Sequence, residues 1–256
     1  MSPDDFESRM REGEFFHGLR LWRGAWCVLR VDGRGFSRFT EAHYDKPFDP
    51  RLHEQMVRTA SAMMEDLQAV YAYTESDEIS LLFRPEWSLY DREVEKLVSL
   101  SAGLASATFT HAAGVPAVFD SRVWLGVNEA AVLDYFRWRQ ADATRCALNG
   151  WCYWTLRKEG QSVAEATRAL NGQSVGFKNE LLFQRGINFN ELPAWQRRGS
   201  GVVWERYDKE GLNPRTGQTV LTARRRLRVD ESLPMKEAYD DYLRERMRPA
   251  SEPEVP

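Results

Sequence analysis

The apolar positions change their period several times along the chain, and each change marks an element. Trp26-Cys-Val-Leu-Arg-Val-Asp32 is too short for a helix and is stopped by Asp32-Gly33, which predicts a buried strand. Asp49-Pro50 supplies an N-cap followed by proline at the first helical position. Leu52, Met56, Ala60, Met63, Met64 and Leu67 then recur at threes and fours, which predicts an amphipathic helix. Two runs rich in aromatic, β-branched and aliphatic residues, 69–74 and 79–83, flank Glu75-Ser-Asp-Glu78 and predict a hairpin with an acidic tip. Ser88 and Asp91 resemble a capping box, so a second helix is expected to start near Asp91. Its small residues Ser101, Ala102, Gly103 and Ala105 suit close packing on a sheet, and residues 118–125 supply a fourth strand.

Strand, helix, strand, strand, helix, strand is the split βαβ order. It predicts an α+β fold: a ferredoxin-like, four-stranded antiparallel sheet with both helices on one face, the plan of polymerase palms. From Asn128 the period becomes helical through Lys158. Ser162-x-x-Glu165 forms another capping box, and Asn171-Gly172 reads as a stop. Residues 202–207 and 219–229 predict a late hairpin around residues 213–217, and 249–256 a frayed end. The expected organisation is a palm-like catalytic half over 1–127 and a helical half over 128–256, with the hairpin and tail, joined as one integrated unit.

Composition narrows the class. The chain has 256 residues, of which 43% are hydrophobic and 29% charged, so it can bury a sizeable core. Cys27, Cys146 and Cys152 lack paired metal-ligand spacing, and Cys146 and Cys152 are too far apart on one helix to bridge, which fits a reducing cytoplasm. The first residues carry acids where an export signal carries bases and then an apolar stretch. No run reaches membrane-spanning length, so no membrane partner is expected. A formal net charge of -3 gives no global attraction to nucleic acid, so any RNA contact must use local basic surfaces.

The predicted topology gives the carboxylates a meaning. In a split βαβ sheet the first strand runs antiparallel beside the third, so Asp32 meets Asp77 and Glu78. Asp-Gly at a strand end and Ser-Asp in a turn are ordinary turn chemistry taken alone; converging carboxylates repel unless cations lie between them, and hard oxygen ligands suit magnesium. Two ions about 3.5–4 Å apart would activate an attacking hydroxyl and stabilise a departing phosphate oxygen. Arg34, Lys46, Arg92 and Lys96 follow these strands and collectively suit a triphosphate. His17, His43, His53 and His111 show no ligand spacing and read as surface or packing residues.

Val31-Asp-Gly-Arg-Gly-Phe-Ser-Arg-Phe39, Glu75-Ser-Asp-Glu78, Trp138-Arg-Gln-Ala-Asp142, Lys178-Asn-Glu180 and Ile187-Asn-Phe-Asn190 occur in this order. Together they resemble the tRNA-histidine guanylyltransferase-like family over most of the chain. The resemblance implies a palm working in the 3′-to-5′ direction: a tRNA 5′-phosphate is activated with ATP or GTP, and the 3′-hydroxyl of an incoming nucleotide attacks it. It implies that Asp32, Asp77 and Glu78 are catalytic and that Asp32, Asp77 and the Gly33 carbonyl hold two Mg2+ ions. Arg34, Gly35, Phe36, Ser37, Lys46, Ser76, Arg92 and Lys96 would then contact the nucleotide, with Arg139, Asp142, Lys178, Asn179 and Asn188 near the RNA end. Read structurally, the Trp138–Asp142 segment is equally a partly buried ion pair on a helix.

Two departures bear on substrate. Histidine-tRNA enzymes follow that segment with His-Ile-Asn-Asn, where this chain has Thr144-Arg-Cys-Ala147; their Asp-Gly-Arg-x-Phe is followed by His, where this chain has Ser37. Both favour the guanylyltransferase-like branch that repairs 5′-truncated tRNAs with the opposite strand as template. A dedicated histidine-tRNA guanylyltransferase is the alternative. A palm-type nucleotide cyclase is more distant, since it leaves the helical half unexplained. Arg137 to Arg157 and Arg224-Arg-Arg-Leu-Arg228 suit either phosphate contact or a solvated face. The resemblance also implies a homo-oligomer, commonly a tetramer.

Overall fold

A computed structural model describes residues 3–212 and 218–248. In chain order the elements are α1 (Pro3–Arg11), β1 (Trp26–Gly33), α2 (Phe36–His43), α3 (Pro50–Leu67), β2 (Tyr71–Glu75), β3 (Glu78–Phe83), α4 (Val94–Ala113) and β4 (Phe119–Gly126). There follow α5 (Glu129–Lys158), α6 (Val163–Leu170), α7 (Val175–Phe183), α8 (Ala194–Arg198), β5 (Ser200–Leu212), β6 (Thr219–Asp230) and α9 (Glu237–Met247). Among the described residues the strands form one antiparallel sheet of six, in the order β4-β1-β3-β2-β5-β6.

The apolar runs of β1 and β3 are continuous because the sheet is covered on both faces. Cys27, Leu29, Val31, Ile79 and Leu81 pack with Met56, Met63 and Met64 of α3 and with Leu97, Ala105 and Phe109 of α4. The alternate residues Val28, Tyr71, Tyr73 and Leu82 pack with Val132 and Phe136 of α5 and with Tyr239 and Leu243 of α9. A smaller cluster joins Leu148, Cys152 and Leu156 of α5 to α6 and α7.

Local signals account for most boundaries. The Asp49 carboxylate caps α3, accepting from Arg51 N at 2.8 Å, and Pro50 fills the first helical position. Asn128 caps α5 through Ala131 N at 2.9 Å, and the Ser162–Glu165 box opens α6.

The α+β palm is as expected, with two details corrected and one helix unforeseen. The sheet has six strands where the sequence predicts four: β5 pairs with β2 from Tyr71↔Val203 to Thr74↔Ser200, covering an edge that would otherwise be open. The second palm helix starts at Val94 because Tyr90, Asp91 and Arg92 all hold positive φ in a 3-10 turn, and Ser88 makes no side-chain cap. The helix α2, directly after Gly35, carries too short a pattern to be foreseen. The turn expected at 213–217 and the end expected at 249–256 lie outside the described residues. Among the described residues no helix is long and apolar enough to cross a membrane.

Candidate active site

The β1–β3 register brings Asp32 opposite Glu78, and β2 pairs Glu75 with Glu78, so the hairpin turn is only Ser76 and Asp77. Gly33 N donates to the Asp77 carbonyl at 3.1 Å, tying the end of β1 to that turn. Ser76 sits at φ 48°, a conformation that costs a non-glycine residue on the order of 1 kcal/mol, and its side chain hydrogen-bonds to the Asp77 carboxylate. The charges of Asp32 and Asp77 therefore act on one another at one lip of the sheet.

Gly33 must be glycine for packing reasons. A Cβ there would lie 2.2 Å from the Phe36 ring, which is buried against Phe109 and Phe119. Gly35, at φ 70°, then turns the chain into α2, whose first turn has no side-chain cap and so offers N–H donors suited to an anion.

Burial and the neighbouring acids raise the carboxyl groups of this lip. Asp77 is half-buried rather than solvent-facing; desolvation and then the charge of Asp32 push it from 3.8 to about 6, against the Ser76 hydrogen bond. Glu75 is pushed up to about 8 by burial and by Glu78, despite an Arg139 Nη2 contact at 3.4 Å. Glu78 is also raised, mainly by burial, although Arg139 Nε donates to it at 2.7 Å and Arg30 lies 3.8 Å away. Arg122 stands 3.9 Å from Asp32. These carboxylates, beside an Asp-Gly strand end, are hard-oxygen donors of the kind a divalent cation would take.

Beside the lip lies a cleft of about 370 Å³ between the palm and α5. Ser37, Thr40, Lys46, Ser76 and Asp77 line one wall, and Ala143, Cys146, Ala147, Gly150, Tyr153 and Trp154 the other. The Lys46 ammonium donates to Thr40 Oγ1 and lies 5.7 Å over the Trp154 ring; burial lowers its pKa, while Glu41 and Asp77 oppose that shift. Trp154, Trp195 and Thr40 were not singled out from sequence. The small residues spaced at threes and fours on α5, ending in Tyr153 and Trp154, were the available signal.

Arg139 and Asp142 come to the lip as a buried ion-pair hub. Arg139 reaches Glu78, Glu75 and Asp142, the last at 3.2 Å, and lies 4.6 Å over Trp138. The ion pair expected for that segment is present, with the guanidinium enclosed by carboxylates.

Arg92 and Lys96 are not brought to the lip. Arg92 is buried at the opposite end of β1, donating to the carbonyls of Ala25 and Pro85 at 2.9 Å each. Lys96 pairs with Glu93 at 3.3 Å. Glu93 also meets His17 at 3.2 Å and, with Glu95, forms a trio of possible metal ligands; Arg20 and Lys96 already neutralise it. Arg34 is exposed, and its N–H donates to Val118 O at 2.8 Å. Lys178 and Asn179 lie on α7, where the Asn179 amide bonds to Val175 O, and Asn188 caps the turn 189–191. None of these three lines the cleft.

Two family models together match most of the chain. The tRNAHis guanylyltransferase (Thg1) model matches residues 7–126, and the Thg1 C-terminal domain model residues 130–242. The chain belongs to this family. It is 36% identical over 212 residues to the probable tRNA(His) guanylyltransferase of Dictyostelium discoideum, covering 78% of this chain and 82% of that protein. To the Mus musculus protein of the same name it is 34% identical over 197 residues, covering 72% of this chain and 66% of that one. A bacterial tRNA(HIS) guanylyltransferase (Thg1)-like protein solved in complex with GTP superposes with a TM-score of 0.72 at 25% identity, covering 95% of this chain and 99% of that chain. The same description in complex with ATP also gives 0.72, covering 94% of this chain. Like its Thg1-family relatives, the chain is a nucleotidyltransferase, and its α+β palm is the family's fold.

Proposed function

We propose that this enzyme adds nucleotides in the 3′-to-5′ direction to the 5′ end of truncated tRNA, choosing them by pairing with the opposite strand. Activation of the 5′-phosphate uses ATP or GTP. The observation that carries the repair reading is the segment facing the cleft after Asp142. Where histidine-specific enzymes resemble one another in carrying His-Ile-Asn-Asn, Thr144 donates to Gln140 O within its own helix at 3.0 Å and Arg145 is held by Asp142. Cys146 and Ala147 line the wall with little hydrogen-bonding capacity. A site with few base-reading groups suits a reaction in which pairing selects the nucleotide.

In this reading Asp32, Asp77 and the Gly33 carbonyl would hold Mg2+, with Glu78 beside them. When bound, the ions supply charge neutralisation and a lowered pKa at the attacking 3′-hydroxyl. The chain's own groups do the positioning. Lys46 and the first-turn N–H groups of α2 face the phosphates, Ser76 orients the Asp77 carboxylate, and Ser37 with Trp154 borders the nucleotide. Arg139 holds Glu75 and Glu78 in place, so that Asp32 and Asp77 meet the ions without further repulsion. The reaction is expected in the cytoplasm, by a homo-oligomer.

The names of the relatives favour a second reading, a dedicated histidine-tRNA guanylyltransferase with the same chemistry. Labelled nucleotide incorporation with magnesium decides between them. Complementary nucleotides entering several 5′-monophosphorylated truncated tRNAs are expected. Guanosine entering histidine tRNA alone, whatever lies opposite, would replace the repair reading by the second.

A further inference from the structure

A second concavity, about 620 Å³, lies at the far end of the sheet. Among the described residues lining it are five arginines, Arg84, Arg206, Arg225, Arg246 and Arg248, against two carboxylates, Glu65 and Glu245. In a chain whose net charge is -3, this is a concentrated positive surface.

The groove is built rather than incidental. Its floor is Trp204, whose indole N–H donates to Ala69 O at 2.9 Å, which fixes the ring; the Arg225 guanidinium lies 4.3 Å over it. Arg225 and Arg206 are register partners on β6 and β5, so two like charges leave the same face of the hairpin side by side. Two guanidinium groups on one face offer several N–H donors that suit a phosphate group. Arg84 braces the rim by donating to the carbonyls of Met247 at 3.1 Å and Arg246 at 3.2 Å at the end of α9, and Arg246 pairs with Glu245.

The position restricts the ligand. Ser200 of β5 is level with Thr74, next to the catalytic turn, and Arg206 stands six residues along the same strand. At roughly 3.3 Å per residue the groove is about 20 Å from the lip. A polymer whose 5′ end occupies the lip can reach both places; a mononucleotide cannot.

We propose that this groove holds the phosphate backbone of the substrate tRNA at a point remote from its 5′ end. The assignment rests on the reading of tRNA as substrate and adds to it a binding surface outside the catalytic cleft. Arg206 and Arg225 clamp phosphate oxygens from one strand pair, Arg248 closes the α9 side, and Trp204 keeps Arg225 aimed into the groove.

The test compares wild-type protein with R206A/R225A, and separately with R248A, for which the fold is checked by circular dichroism. Binding of truncated tRNA is measured from 50 to 200 mM salt. Losing two charge-assisted contacts is expected to weaken binding by roughly 10-fold or more and to reduce the salt slope by about 1–2. KM for tRNA rises while kcat, the KM for nucleoside triphosphate and the KM for a hairpin too short to span about 20 Å stay unchanged. Unchanged tRNA affinity and slope in both variants would overturn the proposal, as would loss of an oligomer with tRNA binding intact. If wild-type protein adds nothing to any RNA yet the variants lose tRNA affinity, the catalytic reading fails and the groove stands.

Discussion

Gly33 N and the Asp77 carbonyl are joined by a hydrogen bond of 3.1 Å across the open end of the sheet. That bond fixes the spacing between two backbone segments, 44 residues apart by number, whose side chains carry the proposed chemistry. It makes the lip a rigid feature of the sheet rather than a meeting of loops.

Gly33→Ala is expected to damage the lip through packing. The new Cβ would fall 2.2–2.6 Å from three atoms of the Phe36 ring, and that ring is enclosed by other aromatics. Overpacking of this kind costs about 1–3 kcal/mol. Thermal denaturation should show the loss, nucleotide addition should fall, and Gly33→Ala combined with Phe36→Leu should recover stability.

Asp77→Asn separates function from stability. In metal-free wild-type protein the Asp77 carboxyl is raised from 3.8 to about 6, so the folded state holds that proton more tightly than the unfolded chain. Stability consequently falls as pH rises from about 3.8 to about 6 and stays lower above it. The variant lacks this cost. With chelator present it should match wild type below pH 4 and exceed it by about 3 kcal/mol at pH 8. Magnesium should stabilise wild type alone, and the variant should add no nucleotide. Equal stabilisation of both proteins by magnesium would remove Asp77 from the ligand set.

Arg139→Met should leave buried Glu78 with only the more distant Arg30 beside it and cost about 3 kcal/mol. Arg139→Met with Glu78→Gln should cost less than the sum of the single changes, because the same ion pair, 2.7 Å apart, is lost in each. Denaturant unfolding of the four proteins measures that coupling. A loss of tRNA affinity without loss of stability would instead support direct RNA contact.

Asp49 anchors the segment that carries Lys46. Its carboxylate accepts from Arg51 N and from Asp45 N at 2.9 Å, and the Arg51 guanidinium helps hold it at about 2. Its contribution is present above pH 3.8 and disappears as pH falls toward 2. Asp49→Ala should cost about 1–2 kcal/mol at neutral pH, raise the KM for nucleotide, and show a smaller acid-dependent loss than wild type below pH 4.

Local chemistry in the sequence determined the β1 run with its Asp-Gly stop, the Asp49-Pro50 start of α3, the acidic hairpin, the caps of α5 and α6, and thereby the convergence of Asp32 with Asp77. These signals reside in neighbouring residues: strand period, proline geometry and side-chain caps act within a few positions. Only the tertiary structure decided that β5 and β6 would extend the sheet, that Arg92 would be buried at its far end, and that Arg139 would bind Glu78 rather than lie open. The Arg139–Glu78 contact joins residues 61 apart, and no spacing rule links them. Which partner a charged side chain finds depends on the faces that packing brings together, because one guanidinium suits a carboxylate, a carbonyl or a phosphate equally well until burial selects among them.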